Sequence, residues 1–458
     1  MYIQQIYTGC LSQASYYIES NGEAAIVDPI RDVEGYIQLA QERKAVLKYI
    51  FETHFHADFV SGHVELLKQT GAKIVYGPGA NPSYDIVSTK DGQELQIGKA
   101  IIKVIHTPGH TLESTCYLAI DENGKPNAVF TGDTLFVGEV GRVDLAAKSE
   151  LSAEQMAAKL YDSLEKLKKL PDEVILYPGH GAGSACGKNI SKETTSTIGQ
   201  QKQNNYAMQP MSKEVFVKIV TEGIAAPPKY FFTDVMLNHT GYEDEVKLNE
   251  NSKPIIVETL KKEMQSGTLL LDTRNPSDFA AGHIPGAVNI GLDGQYAIWA
   301  GNLFDNVPFM IVSDEGKEKE SITRLARIGY DKIKGYLKGG IKAWKDAGLA
   351  LQTVDSIDAA EFAGKIGKTD KVLDVRNEDE LAKGVVRDAV TIPLAKLEAE
   401  MDMLDKDTPY FVHCQGGYRS MIAISLLQKN GFTKLTNVTG GMNAMIKTGI
   451  KLEVPETV

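Results

Sequence analysis

The sequence predicts a multidomain α/β protein, and three observations support this prediction. The chain has 458 residues, a length typical of about three domains. Its first half contains short apolar runs that end in polar clusters, as buried strands do. Its second half contains an internal repeat with a period of ~100 residues, which is the size of a duplicated domain.

Charge and cysteine content exclude several classes of function. The formal net charge is -11, whereas nucleic acids and anionic membranes require basic patches, so we predict that neither is a partner. The four cysteines form no CxxC pair, which favours a reducing compartment. The first residues lack a signal-peptide pattern, and no apolar run reaches the ~18 residues of a membrane span. We therefore expect a cytoplasmic protein.

Histidine and aspartate are concentrated in four motifs, each of which follows an apolar run. These are His54-Phe55-His56-Ala57-Asp58, Gly109-His110, Thr131-Gly132-Asp133 and Pro178-Gly179-His180. Such side chains at strand ends converge on one edge of a sheet and are the ligands that a first-row metal requires. The motifs therefore predict a metal site. For the nearby Cys116, His106 and His63 we favour core packing or ligand support over direct ligation.

Two further stretches connect these elements. Residues 151–170 carry apolar side chains at helical spacing, which predicts an amphipathic helix. A passage rich in proline and charge runs from Ala226 through Glu243–Lys247 to Pro254, and we interpret it as the connection to the second half.

The second half is a tandem repeat that alternates strand-like and helical stretches. Residues 271–275 match residues 373–377, and Gly339-Gly340 matches Gly440-Gly441. Alternation of this kind predicts two parallel sheets covered by helices.

Cys414 is the candidate nucleophile of the second repeat. It ends an apolar strand, a glycine-containing turn follows, and Arg419-Ser420 opens an apolar helix. Turn N–H groups and the positive end of a helix lower a thiol pKa, so this context predicts a reactive thiolate. The first repeat has Ser313-Asp314-Glu315-Gly316 at this position and no cysteine to act as a nucleophile. We interpret it as a structural or docking domain and give little weight to a catalytic His283.

These motifs resemble two known families. Residues 1–245 resemble the metallo-β-lactamase superfamily, and within it the persulfide dioxygenase branch, close to glyoxalase II, through residues 52–62, 107–113 and 131–145. The implied fold is the αββα sandwich. Residues 252–352 and 356–458 resemble rhodanese domains, the first without the catalytic cysteine and the second with Cys414.

The resemblance also implies a ligand set. In the dioxygenase branch the matching residues, His54, His110 and Asp133, hold one Fe(II) per chain and leave open positions for O2 and substrate. Dinuclear hydrolases have histidine after the HxHxD aspartate, but here that residue is Phe59. His56, Asp58 and His180 would then orient ligands and water, although direct ligation by His56 stays open, and zinc is the alternative metal.

The implied activity is oxidation of a thiol persulfide by O2 to thiol and sulfite. A Cys414 persulfide, stabilised by Arg419, would move sulfane sulfur, so that thiosulfate is either formed or used. Arg142 is a candidate for holding an acidic thiol carrier such as glutathione, or else it is structural. Cys186 either relays sulfur or is inert. We also expect a homo-oligomer.

Two rival functions remain from the sequence. The first is a zinc-dependent thioester hydrolase of glyoxalase II type, in which Phe59 argues against the two-metal form. The second is a non-catalytic sulfur carrier or interaction scaffold. Hydrolysis of β-lactams would leave the rhodanese-like domains without a role.

Overall fold

The structure, a computed structural model, describes residues 1–145, 151–242, 252–367 and 370–454. The chain forms two compact units, Met1–Val246 with Ala326–Gly329 and Lys247–Leu325 with Tyr330–Val458. Glu243–Lys247 of the predicted connection lies outside the described residues. Within the described ranges, no helix is both long and apolar enough to cross a membrane.

Two six-stranded sheets form the centre of the first unit. The first sheet runs in the order β1-β2-β3-β4-β5-β6, with strands Tyr2–Thr8, Gln13–Ser20, Glu23–Val27, Val46–Glu52, Lys73–Tyr76 and Val87–Ser88. The second runs in the order β12-β11-β10-β9-β8-β7; in chain order, β7 to β12 are Glu94–Ile97, Ala100–His106, Thr115–Ile120, Pro126–Gly132, Ile175–Pro178 and Ser196–Thr197.

Helices cover the outer faces of this pair of sheets. They are α1 Glu34–Glu42, α2 His63–Thr70, α3 Ala153–Leu167, α4 Ile198–Asn204, α5 Lys213–Thr221 and α6 Phe231–Thr240, with a 3-10 turn at Tyr206–Met208. Between the sheets, Phe51 and Val75 of one pack with Val104 and Phe130 of the other. A second core joins the outer face of the second sheet to α3 and α5. The predicted αββα sandwich is therefore confirmed.

The amphipathic helix expected in residues 151–170 is α3. Ser152 caps it, accepting from the Gln155 N–H while the Gln155 side chain accepts from the Ser152 N–H, which satisfies two free donors of the first turn. Met156, Leu160 and Leu164 are buried against the second sheet. Deleting one such side chain costs about 2–5 kcal/mol of unfolding free energy.

One interpretation of the sequence was wrong in part, although the boundary between the two units falls within the passage concerned. The passage assigned to a connection contains α6, with Phe231, Asp234 and Asn238 buried. The sequence lacks a clear amphipathic pattern here, because two polar residues, Asp234 and Asn238, lie on the buried side of the helix.

The second unit contains two five-stranded parallel sheets of the same order. The first, β13-β17-β16-β14-β15, has in chain order the strands Pro254–Ile255, Leu269–Asp272, Val288–Asn289, Phe309–Val312 and Ile333–Leu337. The second, β18-β23-β22-β19-β21, has in chain order Asp355–Ile357, Lys371–Asp374, Val390–Thr391, Tyr410–His413 and Leu435–Val438, and β20 Val385–Val386 pairs separately with β24 Leu452–Glu453.

Helices follow the strands of both repeats. In the first repeat they are α7 Val257–Gln265, α8 Pro276–Ala281, α9 Tyr296–Leu303, α10 Glu318–Ala326 and α11 Gly340–Asp346. In the second they are α12 Ala359–Lys365, α13 Glu378–Leu381, α14 Leu397–Glu400, α15 Tyr418–Lys429 and α16 Gly441–Met445, with 3-10 turns at Leu394–Lys396, Met401–Met403 and Ile446–Thr448. The parallel sheets predicted from the repeat are therefore confirmed.

An Asp-x-Arg ion pair recurs at the same place in both repeats. Arg274 donates from Nη2 to Asp272 Oδ2 (2.6 Å) and to the Gly282 carbonyl (3.0 Å). Arg376 likewise donates to Asp374 Oδ2 (2.6 Å) and to the Gly384 carbonyl (2.8 Å). All four charged side chains are buried. The pair fixes the chain after a central strand and is part of the fold.

Candidate metal centre and thiol loop

The four His and Asp motifs of the first unit meet at the ends of their strands. His54 follows β4 of one sheet, whereas His110, Asp133 and His180 follow β8, β10 and β11 of the other. The β10–β11 register shifts between Phe130 and Gly132, immediately before Asp133. Irregularities of this kind commonly re-aim a side chain beside a functional site.

One group of donor atoms comprises His54, His110 and Asp133. Their ligand atoms lie within 4.8 Å of one another. Asp133 Oδ2 lies 3.5 Å from His110 Nε2 and 3.9 Å from His54 Nε2. All three side chains are buried, and these atoms have no hydrogen-bond partner. Buried polar atoms left unpaired are costly, so a set that converges on one point fits a bound cation.

Hydrogen bonds on the far side of each imidazole fix its tautomer. His110 donates from Nδ1 to the Arg142 carbonyl (2.8 Å). Thr53 Oγ1 donates to Asp28 Oδ2 (2.8 Å) and therefore accepts from His54 Nδ1 (2.9 Å). Burial, with repulsion from neighbouring histidines, holds the pKa of His54 well below its usual value. Both Nε2 atoms therefore present a lone pair, as metal ligands do.

His56 lies beside this group and turns one ring nitrogen toward two carboxylates. Its Nε2 is 3.1 Å from Asp28 Oδ1 and 3.4 Å from Glu52 Oε2, and its Nδ1 has no partner. Burial opposes protonation, but Asp28 and Glu52 raise the pKa of His56 well above its usual value. Burial in turn raises the pKa of Glu52 to about 7. Neither Asp28 nor Glu52 was predicted from the sequence.

A second group of donor atoms comprises Asp58, His180 and Cys186, again within 4.8 Å of one another. His180 Nε2 lies 3.3 Å from Asp58 Oδ2 and 3.5 Å from Asp133 Oδ1. Asp133 therefore faces both groups, one with each carboxylate oxygen. Burial, with the charges of Asp58 and Asp133, holds the pKa of Cys186 well above its usual value. Cys186 was singled out from the sequence as a sulfur relay or an inert thiol, but not as one of the donors around a metal.

Phe59 and Asn238 support the HxHxD loop. Phe59 is fully buried, and its ring centroid lies 4.2 Å from that of His56. The Asn238 amide donates to the carbonyls of His56 (2.8 Å) and Phe59 (2.7 Å) and accepts from the Ser61 N–H (2.8 Å). An apolar ring thus occupies the position of a possible ligand, and α6 holds the loop in place.

The Arg142 guanidinium is engaged by the protein itself. It donates to both carboxylate oxygens of Asp144 (2.7 and 2.8 Å) and to the carbonyls of Ala185 (3.1 Å) and Ala225 (2.7 Å). Its side chain is mostly buried. This geometry favours the structural alternative over the predicted contact with an acidic thiol carrier.

We expect Thr53→Val to weaken metal binding about 10–100-fold, because it breaks the chain of hydrogen bonds from Asp28 to His54. Competition with a chelator, read as bound metal at equilibrium, measures the change. Thr53→Ser keeps the hydroxyl and should restore binding. Equal affinity of Thr53→Val and the unmodified protein would contradict this role.

In the second unit, the Cys414 loop joins the strand Tyr410–His413 to α15. Cys414 is buried, and the Gly417 N–H donates to its Sγ (3.1 Å). Gly417 has φ 99°, which only glycine adopts without strain, and α15 begins at the next residue. The sulfur thus accepts a backbone N–H at the N-terminal end of a helix, where partial positive charge favours an anion.

Arg419 lies at this site, but its charge is paired. Its Nη1 and Nη2 donate to Glu380 Oε2 (2.6 Å) and Oε1 (2.7 Å). Cys414, Arg419 and Glu380 line one pocket of about 390 Å³, together with Gln295 and Trp299 of the first repeat. The sequence predicted Arg419 but indicated neither Glu380 nor the contribution of the first repeat.

Comparisons with known proteins agree with this architecture. The family model described as the metallo-beta-lactamase superfamily matches residues 8–180, and the rhodanese-like domain model matches residues 256–347 and 358–448. A probable hydroxyacylglutathione hydrolase, glo2 of Schizosaccharomyces pombe, is 37% identical over 34% of this chain. The chain spans only 58% of that relative's length.

Two solved structures are also similar. A metallo-beta-lactamase from Staphylococcus aureus is 32% identical, with a TM-score of 0.64, and the match covers 73% of this chain and 98% of that one. ETHE1 from Myxococcus xanthus is 30% identical over 52% of this chain and 98% of that one, with a TM-score of 0.45. The chain therefore belongs to the metallo-β-lactamase superfamily, and its metallo-β-lactamase domain is followed by two rhodanese-like domains.

Proposed function

We propose that the chain is an iron-dependent persulfide dioxygenase whose Cys414 carries sulfane sulfur. The observation that carries the proposal is the pairing of two sites in one chain. One is a one-sided donor group of His54, His110 and Asp133, and the other is a thiol in a rhodanese-like loop. A thiol carrier of sulfane sulfur is expected beside an enzyme that handles persulfides and has no role beside a thioester hydrolase.

The donor group fits ferrous iron. Two imidazoles and one carboxylate on a single face are the ligands of non-haem Fe(II) oxygenases. Bound there, the iron would supply open positions at which O2 and a sulfur anion meet, and would accept charge. The balanced reaction is R–S–SH + O2 + H2O → R–SH + SO3²⁻ + 2 H⁺.

The protein's own groups prepare this face. Thr53 and the Arg142 carbonyl hold the two imidazoles with their Nε2 lone pairs directed inward. Phe59 fills the adjoining position with an apolar ring and so favours a single metal. His180 and Asp58, at the second oxygen of Asp133, can orient water or exchange protons.

In the thiol loop, the Cys414 thiolate would attack the terminal sulfur of R–S–SH. The bond between the two sulfurs of the donor breaks, R–S⁻ leaves, and the protein holds Cys414–S–SH. Sulfite then attacks that outer sulfur, the Cys414 thiolate leaves, and thiosulfate forms with release of the proton. The reverse flux, from thiosulfate to a persulfide, uses the same steps.

A zinc-dependent thioester hydrolase is the second candidate. The donor group of Asp58, His180 and Cys186, facing the second oxygen of Asp133, is the observation that favours it, because it offers a place for another metal. The name of the Schizosaccharomyces pombe relative also points to hydrolysis of a glutathione thioester. In this function a metal-activated water attacks the thioester carbonyl.

Anaerobic purification and reconstitution with either Fe(II) or Zn(II) separates the two functions. We expect the Fe(II) protein to consume O2 with glutathione persulfide and to release sulfite or thiosulfate. The Zn(II) protein should consume none. A glutathione thioester serves as the matched substrate in both preparations. Thioester hydrolysis by the zinc protein, without O2 uptake by the iron protein, would refute the dioxygenase proposal.

A further inference from the structure

The pocket at Cys414 contains one ion pair and is lined by residues from both repeats. The second repeat supplies Cys414, Arg419 and Glu380, whereas the first repeat supplies Trp299 and Gln295. Among the described residues that line the pocket, Arg419 and Glu380 are the only Arg, Lys, Asp or Glu side chains. The pocket therefore has one cation, and a carboxylate already neutralises it.

The ion pair is tightly held. Both terminal nitrogens of Arg419 donate to Glu380, at 2.6 and 2.7 Å, in the bidentate geometry that fixes a guanidinium. Both side chains are mostly shielded from solvent, with 15% and 19% exposed. Glu380 also accepts from the Asn377 N–H (2.9 Å), which anchors the carboxylate to the start of α13.

The first repeat closes the other side of the pocket. Tyr418 Oη donates to the Gly291 carbonyl (2.7 Å), and a Cβ on Gly294 would lie 2.5 Å from the Tyr418 ring. Arg324 donates to the carbonyls of Leu292 (2.6 Å) and Gly294 (2.9 Å). The loop of residues 291–294 is therefore held by one side chain from each repeat. At about 390 Å³ the pocket is within the range of small-molecule sites, and an inorganic anion would leave most of it unfilled.

We propose that Glu380 selects the sulfur donor of the Cys414 site, favouring organic persulfides with an uncharged body over inorganic sulfur oxyanions. An oxyanion such as thiosulfate meets a guanidinium whose charge is already paired, and it then lies beside the Glu380 carboxylate, which repels it. An organic persulfide presents its sulfane sulfur to Cys414 while its body contacts the wall formed by Trp299 and Tyr418. The inference deepens the proposed sulfur-transfer function and rests on that part of it.

The two loading reactions each break one donor S–S bond, and they differ in the leaving group and in the proton that the persulfide brings to the outer sulfur. With R–S–SH, the Cys414 thiolate bonds to the terminal sulfur, the donor S–S bond breaks and R–S⁻ leaves. With thiosulfate, the thiolate bonds to the sulfane sulfur and SO3²⁻ leaves, which gives Cys414–S–S⁻. Neither step needs an oxidant or a reductant. A change in their rate ratio therefore reports on how the pocket receives the two donors.

The test is single-turnover loading of Cys414 in the full chain, followed by mass spectrometry of the Cys414 peptide. The donors are thiosulfate and the persulfide of N-acetylcysteamine, whose body is uncharged. We expect Glu380→Gln to raise the thiosulfate-to-persulfide rate ratio about tenfold, the size expected when one nearby charge is removed in a partly screened pocket. Glutamine also fits the capping position, which protects α13.

Glu378→Gln is the matched control. Glu378 begins the same helix and pairs with Lys396 outside the pocket, so it should leave the ratio unchanged. Gln295→Lys adds a cation to the opposite wall without altering α13 and should also raise the ratio. An unchanged ratio in Glu380→Gln, or an equal rise in Glu378→Gln, would overturn the inference. The assay uses neither iron nor O2, so its outcome is independent of the dioxygenase proposal.

Discussion

Replacing Asp133 by asparagine should abolish O2 uptake and reduce bound iron together. Asp133 is the carboxylate of the first donor group, and its other oxygen lies 3.5 Å from His180 in the second. Asparagine keeps the shape but brings no negative charge to hold a divalent cation. We expect persulfide-dependent O2 uptake to fall at least about 100-fold. Loss of a residue that only supports a metal ligand already costs about 10–100-fold in activity, and a direct ligand should cost more.

Iron content by elemental analysis and O2 uptake by electrode measure this effect. Asp172→Asn makes the same change in an exposed ion pair with Lys202 and should alter neither quantity. An Asp133→Asn protein that keeps both its iron and its O2 uptake would remove this residue from the proposed ligand set.

Cys414→Ser should eliminate sulfane-sulfur transfer and leave O2 uptake unchanged. The Sγ atom of Cys414 accepts a hydrogen bond from the Gly417 N–H. The serine hydroxyl that replaces this thiol has neither its acidity nor its nucleophilicity. Loss of a covalent nucleophile typically costs more than about 10⁴-fold in rate. With persulfide and O2, sulfite should then accumulate in place of thiosulfate.

The measurement is separation of sulfite and thiosulfate after derivatisation, alongside the O2 trace. Cys10→Ser changes a partly exposed free thiol and serves as the control. Unchanged thiosulfate formation in Cys414→Ser would show that sulfur transfer occurs elsewhere. A parallel loss of O2 uptake would show instead that the two reactions are not separable.

The fold class was accessible from the sequence because its signals are local. Apolar runs that end in His or Asp indicate strand ends, and a ~100-residue repeat indicates a duplicated domain. The convergence of His54, His110 and Asp133 follows from the same logic, since each comes after a strand. Which of the donor groups holds a metal, and which metal, stays a prediction.

The remaining site residues depend on contacts between distant parts of the chain. Asn238 lies 182 residues from His56, to whose carbonyl it donates, and stands in a passage without a clear helical pattern. Glu380 lies 39 residues from Arg419 and sits among other acidic residues of α13. An asparagine such as Asn238 or a glutamate such as Glu380 does not stand out from its neighbours in the sequence. Only the packing of the sheets and helices selects these residues from their neighbours.

The Asp-x-Arg ion pair that recurs in both repeats affects how sulfurtransferase domains are identified in genome sequences. Asp272 and Arg274 have the same arrangement as Asp374 and Arg376, although the first repeat has no thiol. A search that identifies sulfurtransferases by the Asp-x-Arg signature alone will also retrieve domains that have no thiol in the loop. The residue after the fourth strand of each sheet in chain order, serine at 313 and cysteine at 414, separates copies with a thiol at this position from copies without one.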